Sequence, residues 1–491
     1  MRLAISGAAS LFHNYGRYIT SVRLAVVGSL LLSLVAVMGV VTVGKDGALY
    51  LDMAERIAQA GMVEAWKGFD WPWYPLLLTG THRATGLSYE AAAYAWNTLF
   101  IAGTCGLLVD MVRRFAPGAQ WWACLVVLSM PAMNQFRSDI IRECGFWFFC
   151  TLALWLALRC RDEGRWGSLL SACIAVALAA LFRLEAVVVL PALLLCTLPD
   201  LLRARWRPGL AAAVAASLTL ALIVIGILLA KDAVNSQRVS YFMELIDPRM
   251  VFGSFNQLAG QFGNSLINPY SADEAGRIIF VGFTASLLIK VIHLMGPAAL
   301  VWLFPSSWSA WKDYARRFTP AAWIALSYGV VLMVFYIRAQ FMNGRYLSFL
   351  DLLLVPLIAL ACWRFSIRFV RLGRVVTALA LAVMLGNVIS LGAPKTHYLE
   401  AADWVAAHTE PQDSIFYEDG RIAYYAGRGY VQPGLTREQA MADENLQRYA
   451  YLLIETDPHD PWLDAWLAAH PYKVLARFEN RRKDSVLVLA R

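Results

Sequence analysis

Residues 44–61 read G-K-D-G-A-L-Y-L-D-M-A-E-R-I-A-Q-A-G, a Trp-rich turn W-P-W-Y-P follows at 71–75, and L-L-L-T-G closes the stretch at Gly80. Before it runs an uncharged segment, Leu24 to Val43, long enough to cross a bilayer as a helix at about 1.5 Å per residue. This reading sets Asp46 just beyond a spanning helix, at its partly negative end, between two glycines that release the chain. Downstream, Leu49, Tyr50, Met53, Ala54, Ile57 and Ala58 share one helical face, while Asp52, Glu55, Arg56 and Gln59 take the other. That division predicts a helix lying in the membrane surface. A carboxylate is thereby held at the water–lipid boundary under a short amphipathic cover.

Outward from this stretch, most of the chain is membrane. It is 59% hydrophobic and only 16% charged, against about 25% for a soluble domain, and its mean hydropathy is +0.52. No small-residue cleavage site follows the first apolar run before Lys45, so the run is expected to stay as the first span. The net charge of +8 is not that of a nucleic-acid binder. Six short segments (the N-terminus to Arg23, then 113–114, 159–165, 203–207, 312–317 and 364–374) carry 18 Lys and Arg. Against these stand only Asp162, Glu163, Asp313 and the adjoining Asp200, so the remainder of the chain is net negative. Short basic loops between pairs of apolar runs are the positive-inside pattern, and they assign those loops to the cytoplasm. The eight cysteines lie in or beside apolar runs without a CxxC, and the seven histidines lack ligand spacing. Neither a disulfide framework nor a thiolate metal site is indicated.

With the basic loops inside, eleven spans are expected, near 24–43, 89–112, 118–135, 144–158, 167–182, 186–199, 209–230, 278–303, 319–337, 346–362 and 375–391. The fold class is an all-α polytopic membrane domain over 1–392, with the outer loop 44–88 at its site, and a small α/β domain over 393–491. In that tail, helical patterning at 398–408, 421–426 and 461–469 alternates with extended segments at 414–417, 449–454, 473–478 and 485–489. It shows no Gly-rich phosphate loop or nucleophile elbow, which favours capping or recognition over chemistry.

Ionisable residues gather at the outer ends of the spans: Asp46, Arg137, Asp139, Arg142, Glu143, Arg183, Glu185, Arg338 and Arg345. Only Lys290, His293, Asp351 and Asp110 fall within runs, where a transporter would place its key charges. Carboxylates alternating with arginines suit a site that binds an anion and moves a proton. The order first span, D-G-x-x-Y, interfacial helix, then Pro72 to Pro75 resembles the GT-C membrane glycosyltransferases. Within them it looks closest to the bacterial branch related to protein O-mannosyltransferases and the lipid A aminoarabinose transferase. I-I-R-E-C-G-F-W-F-F (140–149) resembles that family's second outer loop, F-R-L-E-A (182–186) its Arg-x-Glu turn, and G-R-Y-L-S-F-L (344–350) its Arg-Tyr start of a late span. D-W-V-A-A-H (403–408) and A-Y-Y-A-G-R (423–428) are similar to its tails. Several relatives carry two adjacent acids in the first loop, whereas Gly47 follows Asp46. The second acid matches Glu143 best, with Asp139 close enough to compete.

The resemblance implies an enzyme that moves a sugar from a polyprenyl-phosphate donor to a glycan, lipid or protein acceptor, inverting the anomeric carbon, on the periplasmic side of a bacterial inner membrane. The acceptor hydroxyl needs a base, and Asp46 suits that role. The leaving phosphate needs cations, for which Arg345, Arg183 and Arg142 stand ready with fork geometry. Tyr50, Trp71, Trp73 and Tyr74 are the candidate substrate-loop aromatics, otherwise belt aromatics. No cofactor and no divalent-metal constellation is evident. The rival reading is a transporter or flippase of lipid-linked sugars.

Overall fold

The computed structural model describes residues 20–63, 66, 69–163, 167–193, 247–389, 392–456 and 461–491, together with 214, 217, 218, 220, 221, 244 and 245. The expected span 209–230 and residues 231–243 of the loop after it lie almost wholly outside these. The chain divides into two compact units, one of Met1–Val35, Ala95–Arg137 and Arg142–Val388, the other of Ala36–Tyr94, Ser138–Ile141 and Ile389–Arg491.

The first unit is helical. Counting those that begin or end in the second unit, seven described helices are long and apolar enough to cross a membrane, which makes this a multi-pass membrane protein. They include Ser21–Met38, Tyr89–Phe115, Glu143–Glu163, Thr319–Ala339, Gly344–Arg368 and Val370–Val388. Helices suit these runs because lipid offers backbone groups no partner outside the segment itself. The hub is Gly344–Arg368, whose apolar window is 83% buried. Helices Thr319–Ala339, Gln120–Ser129, Ala275–Met295 and Val370–Val388 all pack on it. The last of these is only 17% buried over its own apolar window and offers most of its surface outward.

The expected run 118–135 is not one span. Gln120–Ser129 stops at Met130, which is extended at φ −67°, ψ 133°, and a short turn Pro131–Asn134 follows. The proline ring excludes the residue before it from helical geometry, which breaks the run there. Just beyond, Arg137 is fully buried rather than at an outer mouth. It donates to Ser29 O and Oγ (3.0 Å each), Ser33 Oγ (2.7 Å) and Asn134 Oδ1 (2.7 Å), and so fastens the first span to this turn.

The second unit joins the first outer loop to the tail. Helices Lys45–Ala60 and Trp73–Thr85 pack together through Tyr50, Tyr74 and Leu78, and Thr79 Oγ1 donates to Ala54 O at 2.8 Å. The tail is a four-stranded sheet of β1 (Ile415–Tyr417), β2 (Tyr451–Thr456), β3 (Lys473–Glu479) and β4 (Ser485–Ala490), in the order β1-β2-β4-β3. β1 runs parallel to β2, and the other pairs are antiparallel. One face buries Tyr398, Ala401, Val405 and Ile422 against Leu453, Val486 and Val488. The other buries Met441, Leu446 and Leu463 against Leu452, Leu487 and Leu489. Covered on both faces, β4 reads as the unbroken apolar run S-V-L-V-L-A.

The first span ends at Met38, not at Val43. Residues 39–44 leave the helix, and the tail satisfies the backbone of Val43: its N–H donates to Tyr425 Oη (2.8 Å), and its carbonyl accepts from Arg421 (3.5 Å).

Candidate functional site

Of the polar residues expected at one outer mouth, all but Arg137 and Arg338 fall into two groups, one in each unit. In the first unit, Glu143 opens helix Glu143–Glu163, whose partly positive end favours a carboxylate. Arg183 sits in an extended residue between helix Gly167–Phe182 and the 3-10 turn Leu184–Val188. Its Nη1 reaches Glu143 Oε1 at 2.6 Å, and its Nη2 pairs with Glu185. Arg345 follows Asn343, whose side chain caps helix Gly344–Arg368, and its Nε stands 3.5 Å from the same Glu143 Oε1. Both guanidiniums lie over the Tyr346 ring, at 4.5 and 5.5 Å from its centroid. The charge of Arg142 acts on Glu185 from the same side.

Glu143 therefore joins two of the three expected donor arginines, Arg183 and Arg345, and among the described residues its second oxygen lacks a hydrogen-bond partner. Three arginines face two carboxylates, an excess of one positive charge. Beside them opens a small cleft, lined by Arg183, Glu185 and Tyr346 at one side and by Leu245, Val331, Leu332, Tyr328 and Phe335 elsewhere. Its wall is mostly apolar, and Arg183 is the cation that lines it.

In the second unit, Asp46 stands in the first turn of helix Lys45–Ala60, after the extended N-cap Gly44. It thus occupies the partly positive start of this helix, not the negative end of the span before it. A Cβ on Gly47 would come within 3.1 Å of Ile140, so the absent side chain lets the 138–141 segment close in. Asp139 Oδ1 lies 3.9 Å from the Cβ position of Gly44, which gathers Asp139 and Asp46 into one neighbourhood. Asp139 and Glu143, rivals in the sequence, belong to different centres.

The tail reaches the same helix. Lys45 Nζ pairs with Asp419 at 3.3 Å, and Asp419 also holds Arg421, accepting from its Nε at 2.9 Å and its backbone N–H at 3.0 Å. Asp52, expected on the outward polar face, is buried. It pairs with Arg56 and accepts the backbone N–H of Tyr430. Burial raises its carboxyl above the usual range, against the pull of Arg56. Gly429, at φ 75°, is required here, since a Cβ would meet Asp52 Oδ1 at 2.8 Å. The Tyr430 phenol feels the charges of both Asp419 and Asp46. None of Asp419, Arg421 and Tyr430 stood out in the sequence; the Asp-Gly turn at 419–420 was the available signal.

Of the substrate-loop aromatics, Tyr50, Trp71 and Tyr74 are buried, with Tyr50 edge-on to Tyr74 at 5.4 Å. Trp73 is partly exposed, edge-on to Trp66 at 6.1 Å, and among the described residues its indole N–H has no hydrogen-bond partner. Among the intramembrane groups, Lys290 donates to Met342 O at 3.2 Å, whereas Asp351 is wholly buried and neither carboxyl oxygen has a hydrogen bond among the described residues. Among the described residues, no group of three or more His, Cys, Asp or Glu is arranged to hold a metal ion.

Burial alone would raise the Asp419 carboxyl, but Arg421, the turn N–H and Lys45 hold it well below the usual carboxylate range. A carboxyl depressed in the folded state stabilises fully above its unfolded value, about pH 4, and loses that contribution as pH falls through the folded one. Amide exchange over 419–431, normalised to intrinsic rates, is expected to accelerate below about pH 4 before the β2–β4 ladder does. Asp419→Asn is expected to exchange fast already at pH 7. Parent-like protection in that variant would assign the docking to packing alone.

No protein-family model and no curated protein matches the chain. Solved structures do. ArnT from Cupriavidus metallidurans in the apo state matches at 16% identity with TM-score 0.56, over 99% of this chain and 98% of that one. The same protein bound to undecaprenyl phosphate matches at 16% identity with TM-score 0.60, over 95% and 97%. The Archaeoglobus fulgidus oligosaccharyltransferase complexed with zinc and sulfate matches at 13% identity with TM-score 0.54, over 88% and 67%. ArnT and this oligosaccharyltransferase are GT-C membrane glycosyltransferases, and this chain has their fold.

Proposed function

We propose that this chain, built on the GT-C fold, transfers a sugar from a polyprenyl-phosphate donor to an acceptor hydroxyl at the outer face of a bacterial inner membrane, inverting the anomeric carbon. One observation carries the reading: Arg183 and Arg345 converge on Glu143, and Arg183 lines a cleft whose wall is mostly apolar. A lipid phosphate asks for this combination, guanidinium forks for its oxygens and hydrocarbon for its chain. The ArnT structure holding undecaprenyl phosphate on the same fold supports that donor class.

In this reading Arg345 and Arg183 bind the donor phosphate and take up the charge that grows on it as the glycosidic bond breaks. Glu143 orients both guanidiniums. Asp46, with Asp139 as its neighbour, removes the proton from the attacking hydroxyl. The acceptor is a glycan, a lipid or a protein hydroxyl.

The test is release of polyprenyl phosphate by the purified chain in nanodiscs, given a polyprenyl-phosphate sugar and an envelope acceptor fraction. Acceptor-dependent release with a glycosylated product is expected. A flippase would bind the donor and release nothing. For the outer face, a periplasm-dependent phosphatase fused after Arg491 is expected to be active and one fused at Arg205 silent; the reverse pattern would put the chemistry on the other side.

A further inference from the structure

The tail carries a basic turn that neither centre uses. Between β3 and β4 the chain turns through N-R-R-K-D, residues 480–484. Asn480, nearly buried, builds this turn: its Oδ1 accepts from the N–H groups of Arg482 (2.8 Å) and Asp484 (3.1 Å), and its Nδ2 donates to Asp484 Oδ2 (2.8 Å). Arg481, Arg482 and Lys483 are left exposed, and among the described residues none of the three has an ion-pair partner. Lys483 takes a left-handed backbone at φ 68°, where glycine would sit without cost. A long cation is thus held at a position whose backbone disfavours it.

The turn lies near the start of the tail. Asp484 and Lys395 both act electrostatically on His397, which puts the turn beside the first residues of helix Thr396–His408. Lys395, whose ammonium lies 5.2 Å from the centre of the Tyr398 ring, is a fourth cation without an ion-pair partner among the described residues. Only six residues, 389–394, separate it from Val388, the end of the last apolar helix, a reach of at most about 25 Å. On the adjoining edge strand, Val474 and Leu475 are exposed at 43% and 51%, and Leu475 falls at the irregularity between Val474 and Ala476, outside the ladder. These aliphatics lie at the end of β3 away from the turn, so the cations, joined by a short linker to the last apolar helix, are what suit a contact with an anionic membrane surface.

We infer that Lys395, Arg481, Arg482 and Lys483 form a docking patch for anionic phospholipid headgroups of the bilayer the chain itself spans. The patch orients the tail, and it stands whether or not the proposed sugar transfer is correct. A cation near an anionic surface contributes about fivefold in occupancy, and the effect fades with salt over a Debye length.

The experiment is hydrogen exchange of the full chain in nanodiscs of phosphatidylcholine alone and of phosphatidylcholine with 30% phosphatidylglycerol. Residues 479–485 are expected to exchange at least about fivefold more slowly in the anionic discs, with the difference removed by about 0.5 M salt. Helix Pro461–Ala469 serves as the unaffected reference. The variant R481Q/R482Q/K483Q, confined to exposed side chains, is expected to exchange alike in both discs. Equal protection of the parent in both lipids would overturn the inference. Protection appearing only on adding a soluble anionic glycan would overturn it too, and would give the patch to an acceptor.

Discussion

Asp46→Asn is expected to lower turnover by about 10²–10⁴ while leaving donor affinity near that of the parent. The amide keeps the shape of the side chain and removes its capacity to take a proton. Donor affinity survives in this scheme because the phosphate contacts fall to Arg183 and Arg345. The alternative, a structural carboxylate paired with Lys45, predicts a folded and nearly active Asp46→Asn. That alternative is weakened by the finding that Lys45 reaches Asp419. Two measurements on folded protein in nanodiscs decide the matter, donor affinity and turnover with saturating donor. Near-normal turnover would remove Asp46 as the base and pass the role to Asp139, its neighbour across Gly44.

The features legible in the sequence were those set by local composition. Apolar runs marked most of the spans because a bilayer leaves a long uncharged segment no other solution. In the tail, the expected segments at 398–408, 449–454 and 485–489 correspond to helix Thr396–His408 and strands β2 and β4. Pro131 announced the break at Met130, but continuous hydropathy hid it. What stayed out of reach was decided by partners distant in the chain. Val40 to Val43 look like the end of a span, yet Tyr425 and Arg421 claim the backbone of Val43 instead. Asp52 sits on the polar stripe of its helix and is buried only because Gly429 and Tyr430 close over it. Asp139 and Glu143 are four residues apart and chemically alike, so no spacing rule could separate them. A glycine contact draws one toward Asp46, and two arginines hold the other.

Arg345→Ala and Arg183→Ala are expected to differ in kind. Arg345 is partly exposed and touches Glu143 only loosely, at 3.5 Å. Its loss should leave the fold intact and weaken donor binding by about 1.5–3 kcal/mol, roughly 10- to 150-fold, the worth of one charge-assisted bond at a desolvated phosphate. Arg345→Lys should recover part of this, because a point charge replaces the fork. Arg183 is buried and serves Glu143 and Glu185 together. Removing it strands two carboxylates away from water, which should cost about 3–5 kcal/mol of stability before any donor is bound. Thermal unfolding in nanodiscs, followed by donor titration on the folded fraction, separates the two effects. Arg183→Ala should unfold well below the parent, and donor should restore little of the difference because its phosphate has lost the deeper of its two cations. If both variants bind donor with parent affinity, the phosphate site is not at Glu143. Arg338, which pairs loosely with Glu244 at 3.7 Å in the same unit, would then be the cation to test.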